Sequence, residues 1–177
     1  DVRVALAFRR GAVLEEALDQ IAEIAEREGG NARYGIELLW RAGKYSDASG
    51  LSEISPECVR RASSSVYPTV QKDIVFSLGL HEKLFLLGLA RRFKQTRLAY
   101  LTMGEAEEAY VIVCEEYGEK PRHHTQLWKY VNNLSAADVV KSKVSSDGLR
   151  GKTTLIGLPN VSAEELEREL SKRLGLQ

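Results

Sequence analysis

Apolar positions along the chain follow two rhythms. Leu14, Ala17, Leu18, Ile21, Ala22 and Ala25 recur every three or four residues, the period of a helix that buries one face. Gly29-Gly30 predicts a left-handed stop for that helix and Asn31 an N-cap for the next. The second helix sets Ala32, Gly35, Ile36 and Leu39 on one face and is expected to end near Gly43. Ser55-Pro56-Glu57 predicts a third start, with a capping hydroxyl, a proline at the first position and an acid at the positive end of the dipole. That helix carries Cys58, Val59 and Ala62 inward, and the serine-rich stretch 63–68 is the candidate boundary.

A second unit follows. Residues 78–93 are apolar on most sides (Leu80, Leu84, Phe85, Leu87, Leu89), as expected of a central buried helix. Ala106, Ala109, Tyr110, Val113, Cys114 and Tyr117 make an amphipathic helix, and a turn over 118–121 leads to another at 124–134. The latter turns Leu127, Tyr130, Val131 and Leu134 inward and Arg122, Thr125, Gln126, Lys129, Asn132 and Asn133 outward; Trp128, beside the inner face, is expected to bury. The period then drops to two. Residues 139–144 and 152–156 read as strands of a hairpin turning at Asp147-Gly148, and 164–174 as a closing helix capped by Ser162. The predicted fold is mostly α: a helical domain over 1–66, a linker over 67–72, and over 73–177 a helix-turn-helix unit with a small β-hairpin wing.

Composition narrows the class without naming a function. With 44% apolar and 28% charged residues the chain is an ordinary globular one, and no apolar run is long enough to span a membrane. Cys58 and Cys114 have no CxxC spacing, so a reducing, cytoplasmic setting is expected. The formal net charge of zero hides segregation: 120–152 holds seven basic residues against two acids, while 104–119 holds six glutamates and no Lys or Arg. A local basic face binds phosphate even on a neutral protein.

Candidate chemistry concentrates in the second unit. A helix fills the major groove of B-DNA, where base edges display donors and acceptors, so its outward side chains must be polar, as at 122–133. The hairpin tip offers Gly148, Arg150, Gly151 and Lys152, which suit close backbone approach and phosphate or minor-groove contact. The same pattern also fits a solvated helix face and a polar hairpin. Arg91, Arg92, Lys94 and Arg97 form a second basic cluster, open to reading as a solvated helix end or a DNA-backbone contact. Gly151-Lys152-Thr153 is no phosphate-binding loop: Ser146 stands where the motif needs glycine, and a strand follows instead of a helix. His123 and His124 point about 100° apart on a helix and His81 is alone, so no metal site is expected. Nor does any spacing mark a catalytic set.

Gly30-Asn31-Ala32-Arg33, with Leu38-Leu39 behind it, resembles the sensor 2 motif of AAA+ ATPases. Together with Phe8, Gly11, Ile21-Ala22, Arg41-Ala42-Gly43, the run 78–84, Tyr130-Val131-Asn132-Asn133-Leu134 and the segment 148–153, the chain resembles archaeal origin-recognition and cell-division-cycle replication initiators over nearly its whole length. The resemblance implies a AAA+ lid followed by a winged helix, without the ATPase core and without catalysis or a cofactor of its own. It implies that Arg33 would reach ATP or ADP, held with magnesium by the core of an intact protein. It implies binding of double-stranded origin DNA, in the nucleoid. Arg122, His123, His124, Thr125, Gln126 and Lys129 would lie on the recognition helix, and Lys141, Lys143, Arg150, Lys152 and Thr153 on the wing. Two other readings stay open. The glutamates at 105, 108, 115, 116 and 119 suit a protein-docking module that recruits a replicative helicase or a second initiator, and the lid-like helices suit the dimerisation unit of a transcription regulator.

Overall fold

A computed structural model describes residues 7–64, 74–75, 77–145 and 153–175. The linker expected at 67–72 and the Asp147-Gly148 turn lie outside the described residues. The first unit packs α1 (Glu15–Arg27), α2 (Ala32–Ala48) and α3 (Pro56–Ser64) around Ala17, Ile21, Ile24, Leu38, Leu39, Ala42, Ile54, Cys58, Val59 and Ala62. α1 gives way at Gly29 and Gly30, both at positive φ, and the Asn31 side chain accepts from the backbone N–H of Arg33 and Tyr34 to start α2.

α2 does not stop near Gly43; it runs to Ala48, and the chain turns at Gly50 at φ +66. Gly43 is buried mid-helix, where a Cβ would meet Phe8 Cε1 at 3.2 Å and Ile54 Cδ1 at 3.4 Å, so this glycine serves close packing and not termination. Ile36 also departs from expectation. The buried line of α2 is Gly35, Leu38, Leu39, Ala42, Gly43 and Ser46, which leaves Ile36 about one residue's rotation off the core and 44% exposed.

The second unit is built on α4 (Leu80–Gln95), buried continuously from Leu84 to Ala90. α5 (Met103–Glu116) crosses it closely at Gly88, where a Cβ would stand 2.9 Å from the Ala109 carbonyl carbon. α6 (His124–Ala136) and α7 (Ala163–Leu174) complete the helical layer, and Leu127, Tyr130, Val131, Leu134, Leu166 and Leu170 join the same core. Trp128 is half-buried at its edge. The hairpin strands are β2 (Lys141–Ser145) and β3 (Thr153–Gly157). A third strand, β1 (Tyr100–Thr102), pairs antiparallel with β3 and gives the order β1-β3-β2. Three residues are too few for a period, so β1 was invisible to patterning.

Among the described residues, the two units meet where α3 packs on α7 and where α1 packs on the sheet, and Arg97 adds an ion pair to Glu53. At one, Glu57 of α3 accepts from Ser162 Oγ and Ala163 N at the start of α7, while Arg61 pairs with Glu164 and Ser63 donates to Asn160. Arg60, fully buried, donates to Glu57 and lays its guanidinium over Phe93. At the other, Gln20 and Glu23 of α1 meet Leu158 and the sheet.

Candidate nucleic-acid interface

The exposed residues at the start of α6 are Arg122, His123, His124, Thr125 and Lys129, with Gln126 partly covered. The buried face of the helix fixes which way these point, and one hydroxyl fixes where the helix begins. Tyr110 Oη, within the core, accepts from the Arg122 backbone N–H at 3.1 Å and lies 2.8 Å from His81 Nδ1. With one lone pair already occupied by Arg122, Tyr110 can give its proton to a neutral His81. Burial, seconded by the Arg122 charge and opposed by Glu119, holds His81 below the usual histidine range, which favours that neutral ring. Burial likewise pushes the Tyr110 phenol up. An open groove lined by Gly79, His81, Arg122, Thr125 and Asn133 runs beside this junction.

His124 is tied down more than a reading residue would be. Trp128 Nε1 donates to His124 Nε2 at 2.9 Å, so Nδ1 carries the proton and donates to Glu107 Oε2 at 2.7 Å. Lys141 and Lys143 turn away from α6 altogether and pair with Glu23 of the first unit. Thr153 opens β3 opposite Ser145 and is half-exposed, while Arg150 and Lys152 lie outside the described residues. The structure therefore brings Arg122, His123, Thr125, Gln126 and Lys129 together and sets the two strand lysines on another face.

The second basic cluster is paired internally. Arg91 meets Glu116 and Glu167, Arg92 meets Glu105, Lys94 meets Glu167 and Arg97 meets Glu53. Arg33 is exposed in the first turn of α2, which holds no carboxylate. A guanidinium beside the positive end of a helix fits a phosphate oxygen. Among the described residues, no three His, Cys, Asp or Glu side chains stand close enough to hold a metal, and no helix is long and apolar enough to cross a membrane. Sequence reasoning missed Tyr110 as an anchor and Glu23 and Glu57 as bridges; each acts on residues far along the chain, which periodicity does not register.

Two family models match the sequence: the Cdc6 AAA+ ATPase-type lid domain over residues 1–64 and the CDC6 C-terminal winged-helix domain over 73–169. The chain belongs to the Cdc6 family. It carries the family's lid and winged helix, and the ATPase core is not among the matched domains. This Cdc6-family chain is 35% identical to ORC1-type DNA replication protein 2 of Sulfurisphaera tokodaii, over 95% of its own length and 41% of that protein. The crystal structure of Cdc6p from Pyrobaculum aerophilum matches it with a TM-score of 0.77 and 36% identity, over 93% of this chain and 43% of that one. The Aeropyrum pernix Orc1 protein, solved in complex with DNA, matches with a TM-score of 0.54 and 26% identity, over 97% of this chain and 44% of that one. The chain thus spans less than half the length of these relatives.

Proposed function

We propose that this chain binds duplex DNA through its winged helix, with α6 in the major groove and the wing at the minor groove, and takes no catalytic part itself. The observation that carries this reading is the polar face at the start of α6, where Arg122, His123, Thr125 and Lys129 stand exposed on a helix whose origin is pinned by Tyr110. Arg122 and Lys129 would supply phosphate or guanine contacts, and Thr125 and Gln126 would read neighbouring base edges. Arg150 and Lys152 would belong to the wing contact. The similarity to an Orc1 protein solved in complex with DNA supports DNA as the ligand, and origin DNA is the duplex we infer. In an intact protein, Arg33 would hold a phosphate of ATP or ADP bound with magnesium on the core, and the nucleotide would supply the energy of hydrolysis there.

Fluorescence anisotropy of a labelled duplex across a salt series tests the reading. The logarithm of affinity should fall linearly with the logarithm of salt, and Arg122→Ala and Lys129→Ala should each lower the slope by about 0.9 if the residue meets a phosphate. Gln126→Ala should leave the slope intact and weaken discrimination against scrambled competitor. Unchanged slopes and unchanged discrimination would refute the geometry.

One observation favours a second reading. Ile112 is 59% exposed on α5, in the segment that also exposes Glu108 and Glu115. Such a patch repels DNA and suits a basic protein partner, a replicative helicase or a second initiator. Capture that survives nuclease and is lost on Glu108→Lys with Glu115→Lys would establish this reading.

A further inference from the structure

The strand lysines of the wing do not face the recognition helix. Successive side chains of β2 alternate between faces, so Ser142 points one way and Lys141 and Lys143 the other. Ser142 Oγ lies 3.4 Å from Ser135 Oγ on α6. The lysines reach the lid, where one carboxylate takes both: Lys143 Nζ donates to Glu23 Oε1 at 2.7 Å and Lys141 Nζ to Glu23 Oε2 at 3.2 Å. From the far strand, Tyr100 donates its hydroxyl to Glu23 Oε2, and the Lys143 ammonium lies 3.8 Å from the centre of the Tyr100 ring. The intervening strand leaves room for this. Tyr100 and Lys141 both stand opposite Gly157, where a Cβ would come within 2.9 Å of the tyrosine ring. A strand face, a carboxylate, a ring and a glycine thus converge on one cluster. Burial alone would raise the Glu23 carboxyl, but hydrogen bonds from Lys143, Tyr100 and Lys141 outweigh it and hold the group below its usual range, so it stays charged.

Two lysines two residues apart on one strand face suit a DNA phosphate as well as they suit a carboxylate, since both ligands offer anionic oxygens to the same donors. Both lysine side chains keep about a third of their surface exposed (30% and 39%), so the cluster lies at the rim of the seam and not inside it. We propose that Glu23 is a lid-borne clamp on the wing: it occupies Lys141 and Lys143 with a carboxylate, withholds both charges from DNA, and yields them only when α1 separates from β2. This inference rests on the DNA reading above. It makes Glu23 a positioning residue that limits how much of the wing's positive surface the duplex meets.

The experiment compares this chain with Glu23→Gln, each with and without Lys141→Ala plus Lys143→Ala, by anisotropy on a labelled duplex across a salt series. The clamp predicts that Glu23→Gln steepens the log–log salt slope by up to about 1.8 and tightens binding about tenfold or more near 0.1 M salt, since each freed phosphate contact adds about 0.9. Removing the lysines should leave the original slope unchanged and abolish the gain in Glu23→Gln. Equal slopes for the original chain and Glu23→Gln, or an equal cost of lysine removal in both, would overturn the clamp alone. Absence of binding by every variant would overturn the DNA reading itself. A DNA-free measurement stands beside these: acetylation rates of single lysines read by mass spectrometry, with exposed Lys129 as the internal reference. Lys141 and Lys143 should react several-fold more slowly than Lys129 and accelerate in Glu23→Gln. Rates equal to Lys129 in the original chain would refute the clamp whether or not DNA binds.

Discussion

Replacing Glu57 by alanine should unlock the lid from the winged helix. Its Oε1 accepts from Ser162 Oγ at 2.8 Å and Ala163 N at 2.9 Å, which joins α3 to the first turn of α7. Its Oε2 accepts from Arg60 Nε at 2.8 Å. Arg60 is fully buried, and its Nη1 and Nη2 have no hydrogen-bond partner among the described residues, where Glu57 is the carboxylate paired with this guanidinium. Deleting one member of a buried pair costs roughly 3–5 kcal/mol, because the remaining charge is stranded. Loss of the acceptor at α7 adds about 1 kcal/mol on the scale of helix caps. The terms share atoms and do not add in full, so about 4 kcal/mol is the expected cost. For a chain of this length that lowers the midpoint by about 8–16 °C, at about 2–4 °C per kcal/mol. Thermal unfolding reads the midpoint shift and urea titration the free energy, with Trp40 reporting the lid and Trp128 the winged helix. The decisive comparison is Glu57→Ala with Arg60→Met, which removes both charges and keeps the stem over Phe93. The double variant should recover about 2 kcal/mol or more relative to Glu57→Ala. A single variant costing less than about 1 kcal/mol, or a double variant equal to the sum of the singles, would refute the reasoning.

Two further outcomes follow from the second unit. Gly88→Ala would drive a Cβ to 2.9 Å from the backbone of Ala109, where neither helix can yield cheaply, so thermal unfolding should show a loss of about 1–3 kcal/mol despite alanine's better helix propensity. His81 is held below its ordinary value in the folded state, so folding opposes its protonation; its contribution is complete above about pH 6.5 and is lost as pH falls through the folded-state value. The urea midpoint should drop between pH 7 and 5, and His81→Gln should flatten that drop; an unchanged profile would dismiss the role of His81.

The helices, their caps and the polar face of α6 were legible because each rests on residues within a turn or two. Asn31 and Ser162 cap as their side chains predict, and the period of 127–134 places the core face correctly. Gly43 was misread because a glycine in a helical pattern signals either an end or a close approach, and only Phe8 and Ile54 decide which. The pairs of Glu23 with Lys143 and of Glu57 with Ala163 span 120 and 106 residues of sequence, and a charge gives no local sign of its distant partner.

Those distant pairs also alter what the neutral net charge means. Basic clusters in a sequence look interchangeable, but the fold sorts them. Arg91, Arg92, Lys94 and Arg97 are spent on glutamates of α5, α7 and the lid, and Lys141 and Lys143 on Glu23. Arg122 and Lys129 carry no ion pair among the described residues, and both stand exposed on the polar face of α6. A phosphate arriving at α6 therefore meets charges that need no partner displaced, whereas at the wing stem it must compete with a carboxylate already in place. On the proposed DNA reading, the same net charge would give two kinds of contact, one open at α6 and one conditional on the lid, and the difference in salt slope between the original chain and Glu23→Gln would separate them.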